Sequence, residues 1–233
     1  IAIYDEDPLP YQYCSYRILE ELVPMRNWQY QSPRHNQGVS YAGFRRIWDM
    51  HAAWPYPRMS GRDVFNSNIK KLPLHWLYLR LPDGEMLRDG DGIVQGLPSK
   101  DYYWRNPQIM FLFYTYASDP IVKGEFNRQG GRMDDYVLYL LLNDPQLEPQ
   151  ESLSSLPLTI DFGPIVGSMV ARTGWDISNE SNDVVAEIKG GGYHFGNHQH
   201  SDAGALQIYY RGLQVADIGI YGFYGSYYKR FNA

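Results

Sequence analysis

The feature that most constrains the fold is a change of sequence character at residues 146–157. This segment is rich in Pro, Ser and Gln and shows little periodicity, which is typical of a linker. Residues 1–145 carry apolar side chains at helical spacing, whereas residues 158–233 carry short apolar runs separated by Gly, Asn and Asp. We therefore predict an α+β multidomain chain, helical before the linker and an incomplete antiparallel β-sandwich after it.

Two helices are the clearest elements of the first part. In Val39–Trp54 the residues Phe44, Ile47, Trp48, His51 and Ala52 recur at helical spacing, with Ser40 as a plausible N-cap. Tyr41 then lies at the junction of a polar loop and this helix. Pro107–Ala117 is a second, more apolar helix, whereas Leu74–Leu81 is ambiguous between helix and extended chain. Within apolar helical context, His51 and His75 are expected to be core residues.

Five short runs after the linker are typical of strands. They begin near Thr159, Gly167, Val184, Ala205 and Gln214, and Arg211-Gly212 predicts a hairpin between the last two.

Composition excludes several classes of protein. The formal charge of −5 provides no basic field for nucleic acid, and the longest apolar run, near Met110, is too short to span a membrane. The single cysteine, Cys14, excludes an intrachain disulfide, and we expect it to be buried. Aromatic residues make up 15% of the chain, including 21 Tyr, and such side chains suit sugar-binding surfaces. The chain begins at Ile1 without a signal peptide, so we expect an internal fragment of a larger protein.

The strongest chemical signal lies between Lys189 and Gly204, a glycine-flanked stretch that contains His194, His198 and His200. If His198, His200 and Asp202 were on a strand, the period of 2 would place all three on one face. Such a face suits metal binding or proton transfer, because imidazole titrates near neutral pH and ligates zinc readily.

The residues around these histidines resemble the motifs of a known protein family. The stretch Gly196-Asn-His-Gln-His-Ser-Asp-Ala-Gly204 is followed by Gln207-Ile-Tyr-Tyr210 and Ala216-Asp-Ile-Gly-Ile-Tyr-Gly222. Together they resemble the heparinase II/III-like polysaccharide lyases, most closely the heparinase II type, over nearly the whole chain but more loosely in the helical part. The resemblance implies the C-terminal part of an (α/α) toroid followed by the start of a β-sandwich. It also implies β-elimination at a uronic acid, in a periplasmic or secreted protein.

The resemblance assigns roles to particular residues. It implies that His198 is a catalytic acid or base, that Tyr41 is the second one, and that His200 and Asp217 bind a structural zinc ion near the active site. Asp202 gives way to Asp217 as the carboxylate ligand.

Substrate contacts are implied or expected for three more residues. The resemblance places Tyr221 and Tyr228 along the substrate, and His35 is expected to line the cleft because it is polar and loop-borne. Tyr has a reference pKa near 10, so Tyr41 would need a cationic neighbour to act as a base. Arg34, His35, Arg45 and Arg46 are the candidates.

Two expected groups have no match in the chain. No histidine follows His200, so the third zinc ligand of the family is missing, and residues 1–28 contain no convincing residue to neutralise the substrate carboxylate. Both gaps are expected of a fragment, which by itself would be inactive.

Two alternatives stay open at this point. The spacing His198-x-His200-x-Asp202 is similar to part of a metallo-hydrolase signature, although Ala203 stands where a further His would be expected. The aromatic content also suits a non-catalytic protein that binds acidic glycans. Which polysaccharide is cleaved, the endo or exo mode and the oligomeric state are not readable from the sequence.

Overall fold

The computed structural model describes residues 4–90, 106–196 and 198–216. The described residues before the linker form eight α-helices: α1 (Leu9–Tyr16), α2 (Val23–Gln29), α3 (Gly38–Ala53), α4 (Pro55–Ser60), α5 (Leu74–Leu79), α6 (Pro107–Ala117), α7 (Pro120–Arg128) and α8 (Tyr136–Leu142). A π-helical segment (Arg17–Leu22) joins α1 to α2, and a 3₁₀ helix (Ser67–Lys71) precedes α5. Within the described ranges, no helix is both long and apolar enough to cross a membrane.

Local signals explain where the best-predicted helix begins and ends. Helix α6 has the bounds expected from the sequence: the Asn106 side chain accepts a hydrogen bond from the Ile109 N–H, and Pro107 occupies the first turn. Ser118 ends it in the left-handed conformation. The ambiguous run after Pro73 is helix α5 up to Leu79, and Arg80 then pairs with Met86 in an isolated bridge.

The buried face of α3 differs from the predicted one. The buried positions are Gly38, Val39, Ala42, Gly43, Arg46, Met50 and Ala53. Phe44 and Trp48 are instead 56% and 72% exposed. Small residues allow α3 to approach α6 closely, so they occupy the inner face in place of the large aromatic side chains. The helix also begins after Gln37 rather than at the predicted cap Ser40.

Two further predictions about burial are wrong. His51 is exposed, because it lies next to the inner face of α3 and not on it. Cys14 is also exposed, because α1 has no buried residue. His75, in contrast, is fully buried as predicted.

After the linker, the residues up to 216 that the structure describes form one antiparallel sheet of five strands. Strands β1 (Thr159–Asp161), β2 (Val166–Arg172), β3 (Val184–Gly192), β4 (Leu206–Tyr210) and β5 (Leu213–Val215) lie side by side in chain order. Arg211 and Gly212 have positive φ angles of 51° and 134°, which confirms the predicted hairpin between β4 and β5.

The sheet and the helices share one hydrophobic core. Phe162, Val170, Val185 and Tyr209 belong to the same buried cluster as the aromatic residues of α5 and α6. The toroid and the sandwich of the resemblance stay predictions, because the described residues form one open sheet packed against short helices.

Hydrogen bonds fix this packing at several points. Ser32 accepts hydrogen bonds from the N–H groups of Ile165 (2.9 Å) and Val166 (3.0 Å). Arg172 of β2 donates to the carbonyl oxygens of Tyr78 (3.1 Å) and Arg80 (2.7 Å). The loops next to Ser32 are therefore held against the sheet.

Candidate functional site

The two predicted catalytic residues lie together although they are distant in sequence. Tyr41 is in the first turn of α3, and His198 is in the loop between β3 and β4, residues 193–205, which we call the histidine loop. Their ring centroids are 4.5 Å apart and the ring planes differ by 31°. A phenol and an imidazole can thus act on one substrate from adjacent positions.

Tyr41 is positioned by a close contact at the start of α3. Gly38 has φ +86°, and a Cβ added there would lie 1.9 Å from the carbonyl oxygen of Asp89. Only glycine fits this crossing of two chain segments. In addition, the Trp76 indole N–H donates to the carbonyl oxygen of Val39 at 3.1 Å, which fixes the first turn.

Of the cations expected near Tyr41, Arg45 is the one that faces it. The guanidinium carbon of Arg45 lies 6.0 Å from the centroid of the Tyr41 ring. Arg46 is directed into the core, where it donates to the carbonyl oxygen of Leu72 at 3.0 Å, and burial lowers its pKa to about 10. A positive charge at Arg45 favours the phenolate form of a neighbouring tyrosine.

The histidine loop is not a strand, so the expectation that His198, His200 and Asp202 share a strand face is wrong. His198 has a left-handed backbone with φ 58°. The Gln199 side chain closes the loop, accepting from the Phe195 N–H at 2.7 Å and donating to the Tyr193 carbonyl at 3.0 Å. The Gln199 side chain points into the loop, whereas His198 contacts Tyr41. His200 lines a pocket that is described below.

Aromatic packing fixes the first half of the histidine loop to α2. The Trp28 ring lies 5.0 Å from the Tyr193 ring and 5.8 Å from the Phe195 ring, measured between centroids. The Tyr193 N–H also donates to the carbonyl of Ile165 at 2.7 Å. The loop is therefore held by contacts on both the helical and the sheet side.

A buried ion pair fixes the second half of the loop. The Lys189 ammonium lies 2.5 Å from the Asp202 carboxylate, and its side chain is fully buried. Burial alone would lower the pKa of Lys189, but the charges of Asp89 and Glu187 raise it above its usual value. Asp202 is thus engaged by Lys189, and the preference for Asp217 as the carboxylate ligand stays a prediction.

A second buried ion pair lies beside the first, and the sequence analysis missed both. Arg34 donates two hydrogen bonds to Asp89, and the Nε2 of His75 lies 2.9 Å from Asp89 Oδ2. Burial would raise the pKa of Asp89, but the Arg34 charge and these hydrogen bonds hold it well below its usual range. Burial lowers the pKa of His75 to about 4, so its ring is neutral and donates to Asp89. We call Arg34, Asp89, Lys189 and Asp202 the buried charge cluster.

The pocket next to the histidine loop has a volume of about 300 Å³. It lies between the loop, the glycines that end β3 and the segments around Asn36 and Asp89. Its ionic and hydrogen-bonding lining includes Arg34, Asn36, Asp89, His194, His200 and Asp202. His194, the first histidine of the glycine-flanked stretch, therefore lies on the pocket wall. We call this cavity the polar pocket.

Other predicted site residues are less favourably placed or lie outside the described residues. His35 is only 4% exposed, and its Nδ1 accepts from the Gln37 N–H at 3.1 Å. Burial lowers its pKa well below the usual value. Its burial gives no support to the expected substrate contact. Asp217, Tyr221 and Tyr228 lie outside the part of the chain that the structure describes.

The zinc site likewise stays a prediction. Among residues 4–90, 106–196 and 198–216, no three His, Cys, Asp or Glu side chains are grouped as metal ligands. His200 lies on the polar pocket, where a ligand from outside the described residues, such as Asp217, would have to complete the set.

Comparison with known proteins found no matching family model and no match among curated proteins.

Proposed function

We propose that the chain is part of a polysaccharide lyase that cleaves a uronic-acid-containing polysaccharide by β-elimination. The observation that carries the proposal is the 4.5 Å separation of the Tyr41 and His198 rings, which come from two different parts of the fold. Phenol and imidazole groups both serve as general acids and bases in enzymes, and the resemblance assigns this role to both residues. We also propose, from the resemblance, that the protein is periplasmic or secreted.

The reaction needs two proton transfers at neighbouring atoms. One group removes the C5 proton, the electron pair forms the C4–C5 double bond, the C4–O bond breaks, and the leaving oxygen takes a proton. Adjacent general acid and base groups suit these transfers. In this proposal the charge of Arg45, 6.0 Å from the Tyr41 ring, helps Tyr41 to remove the proton, and His198 protonates the leaving oxygen.

We propose in addition that zinc, held by His200 and Asp217, has a structural role beside this pair. Asp202 does not fit the ligand set, since it is engaged by the buried Lys189 at 2.5 Å. Bound there, zinc would fix the orientation of the histidine loop. The proton transfers themselves require only the side chains of the chain.

The test is the ultraviolet absorbance of the 4,5-unsaturated uronate that the elimination produces. The full-length protein is incubated with heparin, heparan sulfate, alginate and unsulfated uronans. We expect Tyr41→Phe to lower kcat by about 10²–10⁴-fold with substrate binding largely retained, because only the proton-transfer group is lost. Tyr210→Phe is the matched control, since Tyr210 is 44% exposed on β4.

Two results would refute the proposal. Folded, zinc-loaded protein that produces no unsaturated product from any of these polymers cannot be a lyase of this class, and binding without product would favour a non-catalytic glycan-binding protein. Full activity of Tyr41→Phe would show that another residue transfers the proton.

A further inference from the structure

We infer that Asn36 binds the substrate in the polar pocket by donating hydrogen bonds from Nδ2, and that Arg26 and Gln29 hold its amide in this orientation. The inference rests on the proposed function and adds to it one substrate-binding residue and two positioning residues. Asn36 lies in the loop between α2 and α3 and lines the polar pocket. His200, two residues after His198, lines the same pocket. A substrate that contacts His198 therefore lies beside this pocket.

The orientation of two neighbouring amides follows from Arg26, because a guanidinium group only donates hydrogen bonds. Arg26 Nη1 donates to Oε1 of Gln29 at 2.8 Å. Since Oε1 of Gln29 is the acceptor on that side, its Nε2 donates on the other side, to Oδ1 of Asn36 at 3.1 Å. The oxygen and nitrogen atoms of an amide have nearly the same shape, and here the fixed donor at Arg26 distinguishes them. Nδ2 is consequently the group on the far side of the Asn36 amide.

Burial and a carboxylate keep these hydrogen bonds in place. Gln29 is only 5% exposed, so water competes little for its amide. Arg26 is half-buried, and its Nε lies 3.5 Å from Oδ1 of Asp49. Asp49 in turn accepts a hydrogen bond from the hydroxyl of the buried Tyr30 at 2.5 Å. A reversed Gln29 amide would set its N–H groups against the Arg26 guanidinium, and an unmatched donor is costly at a buried position.

Asn36 thus offers N–H donors to a ligand in the pocket. Within the residues that the structure describes, Gln29 is the hydrogen-bond partner of the Asn36 side chain, and Nδ2 donates to none of them. Asn36 is half-buried, so part of its surface is open to the pocket that it lines. The oxygen atoms of sugars accept such hydrogen bonds. An amide N–H group does not ligate zinc, so a zinc ion at His200 would leave this donor to the substrate.

The first experiment measures the binding of tetrasaccharides of hyaluronan, heparosan, alginate and heparin to the full-length protein by calorimetry, in the Tyr41→Phe background so that none is cleaved. For the one that binds most tightly, Asn36→Ala should raise Kd about three- to tenfold, the effect of one neutral hydrogen bond. Gln29→Glu still accepts from Arg26 but no longer donates, so the Asn36 amide turns and presents its oxygen to the ligand; Kd should rise about tenfold. Gln146→Glu, at an exposed position, is the matched control.

A double variant distinguishes the orientation of the amide from a general disturbance of the site. If Gln29→Glu acts through Asn36, it should change Kd by less than about twofold in the Asn36→Ala background. A tenfold effect that persists in that background would overturn the positioning role, and an unchanged Kd in Asn36→Ala would overturn the inference as a whole. If Gln29→Glu does not fold, Asn36→Asp takes its place, since it keeps the shape of the side chain without the N–H donors; unweakened binding by this variant would also overturn the inference.

Turnover separates this inference from the proposed function. On a polymer that the protein cleaves, Asn36→Ala should raise KM about three- to tenfold and change kcat by less than about twofold, because the hydrogen bond is made in the ground state and the transition state alike. Weaker tetrasaccharide binding by Asn36→Ala, with no product from any polymer, would support the inference and refute the lyase. Product formation with unchanged KM in Asn36→Ala would overturn the inference and leave the lyase standing. Neither binding nor product would overturn both.

Discussion

The ion pair between Arg34 and Asp89 allows the sharpest test of how the helices and the sheet are held together. The side chains of Arg34 and Asp89 are only 6% and 2% exposed. Asp89→Asn keeps the size of the side chain but removes its charge, which leaves the Arg34 guanidinium buried without a counter-ion. The same change weakens the hydrogen bond from His75, which lies 2.9 Å from Asp89 Oδ2.

The expected cost follows from this burial. Removing one partner of a buried ion pair destabilises a protein by about 3–5 kcal/mol, because the remaining charge has lost its compensation. A native domain is stable by about 5–15 kcal/mol, so the change removes a large fraction of the stability. For a chain of this size, Tm should fall by about 6–20 °C.

The assay is urea unfolding followed by tryptophan fluorescence, for which the chain has six Trp residues. Glu21→Gln is the matched control, because Glu21 pairs with Arg17 on an exposed helix surface and should cost less than about 1 kcal/mol. Replacing both partners, in Arg34→Met with Asp89→Leu, should recover part of the loss, since no uncompensated charge remains. If Asp89→Asn costs no more than Glu21→Gln, the buried pair does not stabilise the fold and the reasoning is wrong.

Three further predictions concern single side chains. Burial lowers the pKa of His75 from 6.5 to about 4, so between these pH values the unfolded chain binds a proton that the folded chain does not. The free energy of unfolding should therefore fall by about 3 kcal/mol from pH 6.5 to 4. His75→Gln should flatten that part of the urea-derived profile, and an unchanged slope would contradict the assignment. Gly38→Ala places a Cβ 1.9 Å from a backbone oxygen, whereas the Cβ of the control Gly61→Ala enters open space. Gly38→Ala should therefore lower the free energy of unfolding by about 1–3 kcal/mol more than Gly61→Ala. Equal decreases in Tm for the two variants would refute the clash. Gln199→Met removes both hydrogen bonds that close the histidine loop, so the His198 ring protons should lose their ring-current shift in NMR spectra; a retained shift would refute this role.

Local sequence signals were sufficient for most elements but not for the inner face of α3. Asn106 and Pro107 define the start of α6, and alternation defines the strands. In α3, the prediction of an inner face that includes Phe44 followed from the recurrence of apolar residues at helical spacing, yet Phe44 is 56% exposed. A close contact between two helices favours small residues such as Ala42 and Ala53 at the buried face. The sequence of α3 alone does not show which other helix packs against it.

The proposed catalytic pair followed from a resemblance in the motif, whereas the buried charge cluster had no local signal. Glu187 and Lys189 alternate with Ile188 on β3, and hydropathy would direct the charged side chains to solvent. In the structure Lys189 is fully buried and Ile188 is 46% exposed. Lys189 is buried in place of Ile188 because it lies near the charge of Asp89, which is itself paired with Arg34. Both residues are distant from Lys189 in sequence, so the burial of Lys189 becomes apparent only in the folded structure.

The order of the strands has a consequence for when the protein can act. Each strand of the sheet pairs with the next one in the chain, so these pairings are local in sequence. Ser32, in contrast, contacts Ile165 and Val166 across a separation of more than half of the chain. Local pairings form faster than distant ones. We therefore expect hydrogen-exchange pulse labelling to show protection of the amides that pair between strands before the Ile165 and Val166 amides, which donate to Ser32.

During synthesis the helices leave the ribosome first, and the histidine loop follows only after β3. Tyr41 thus meets His198 only after the histidine loop has emerged and docked. The proposed acid–base pair would be absent from any nascent chain that stops short of this loop, so such a chain could fold in stages without becoming active.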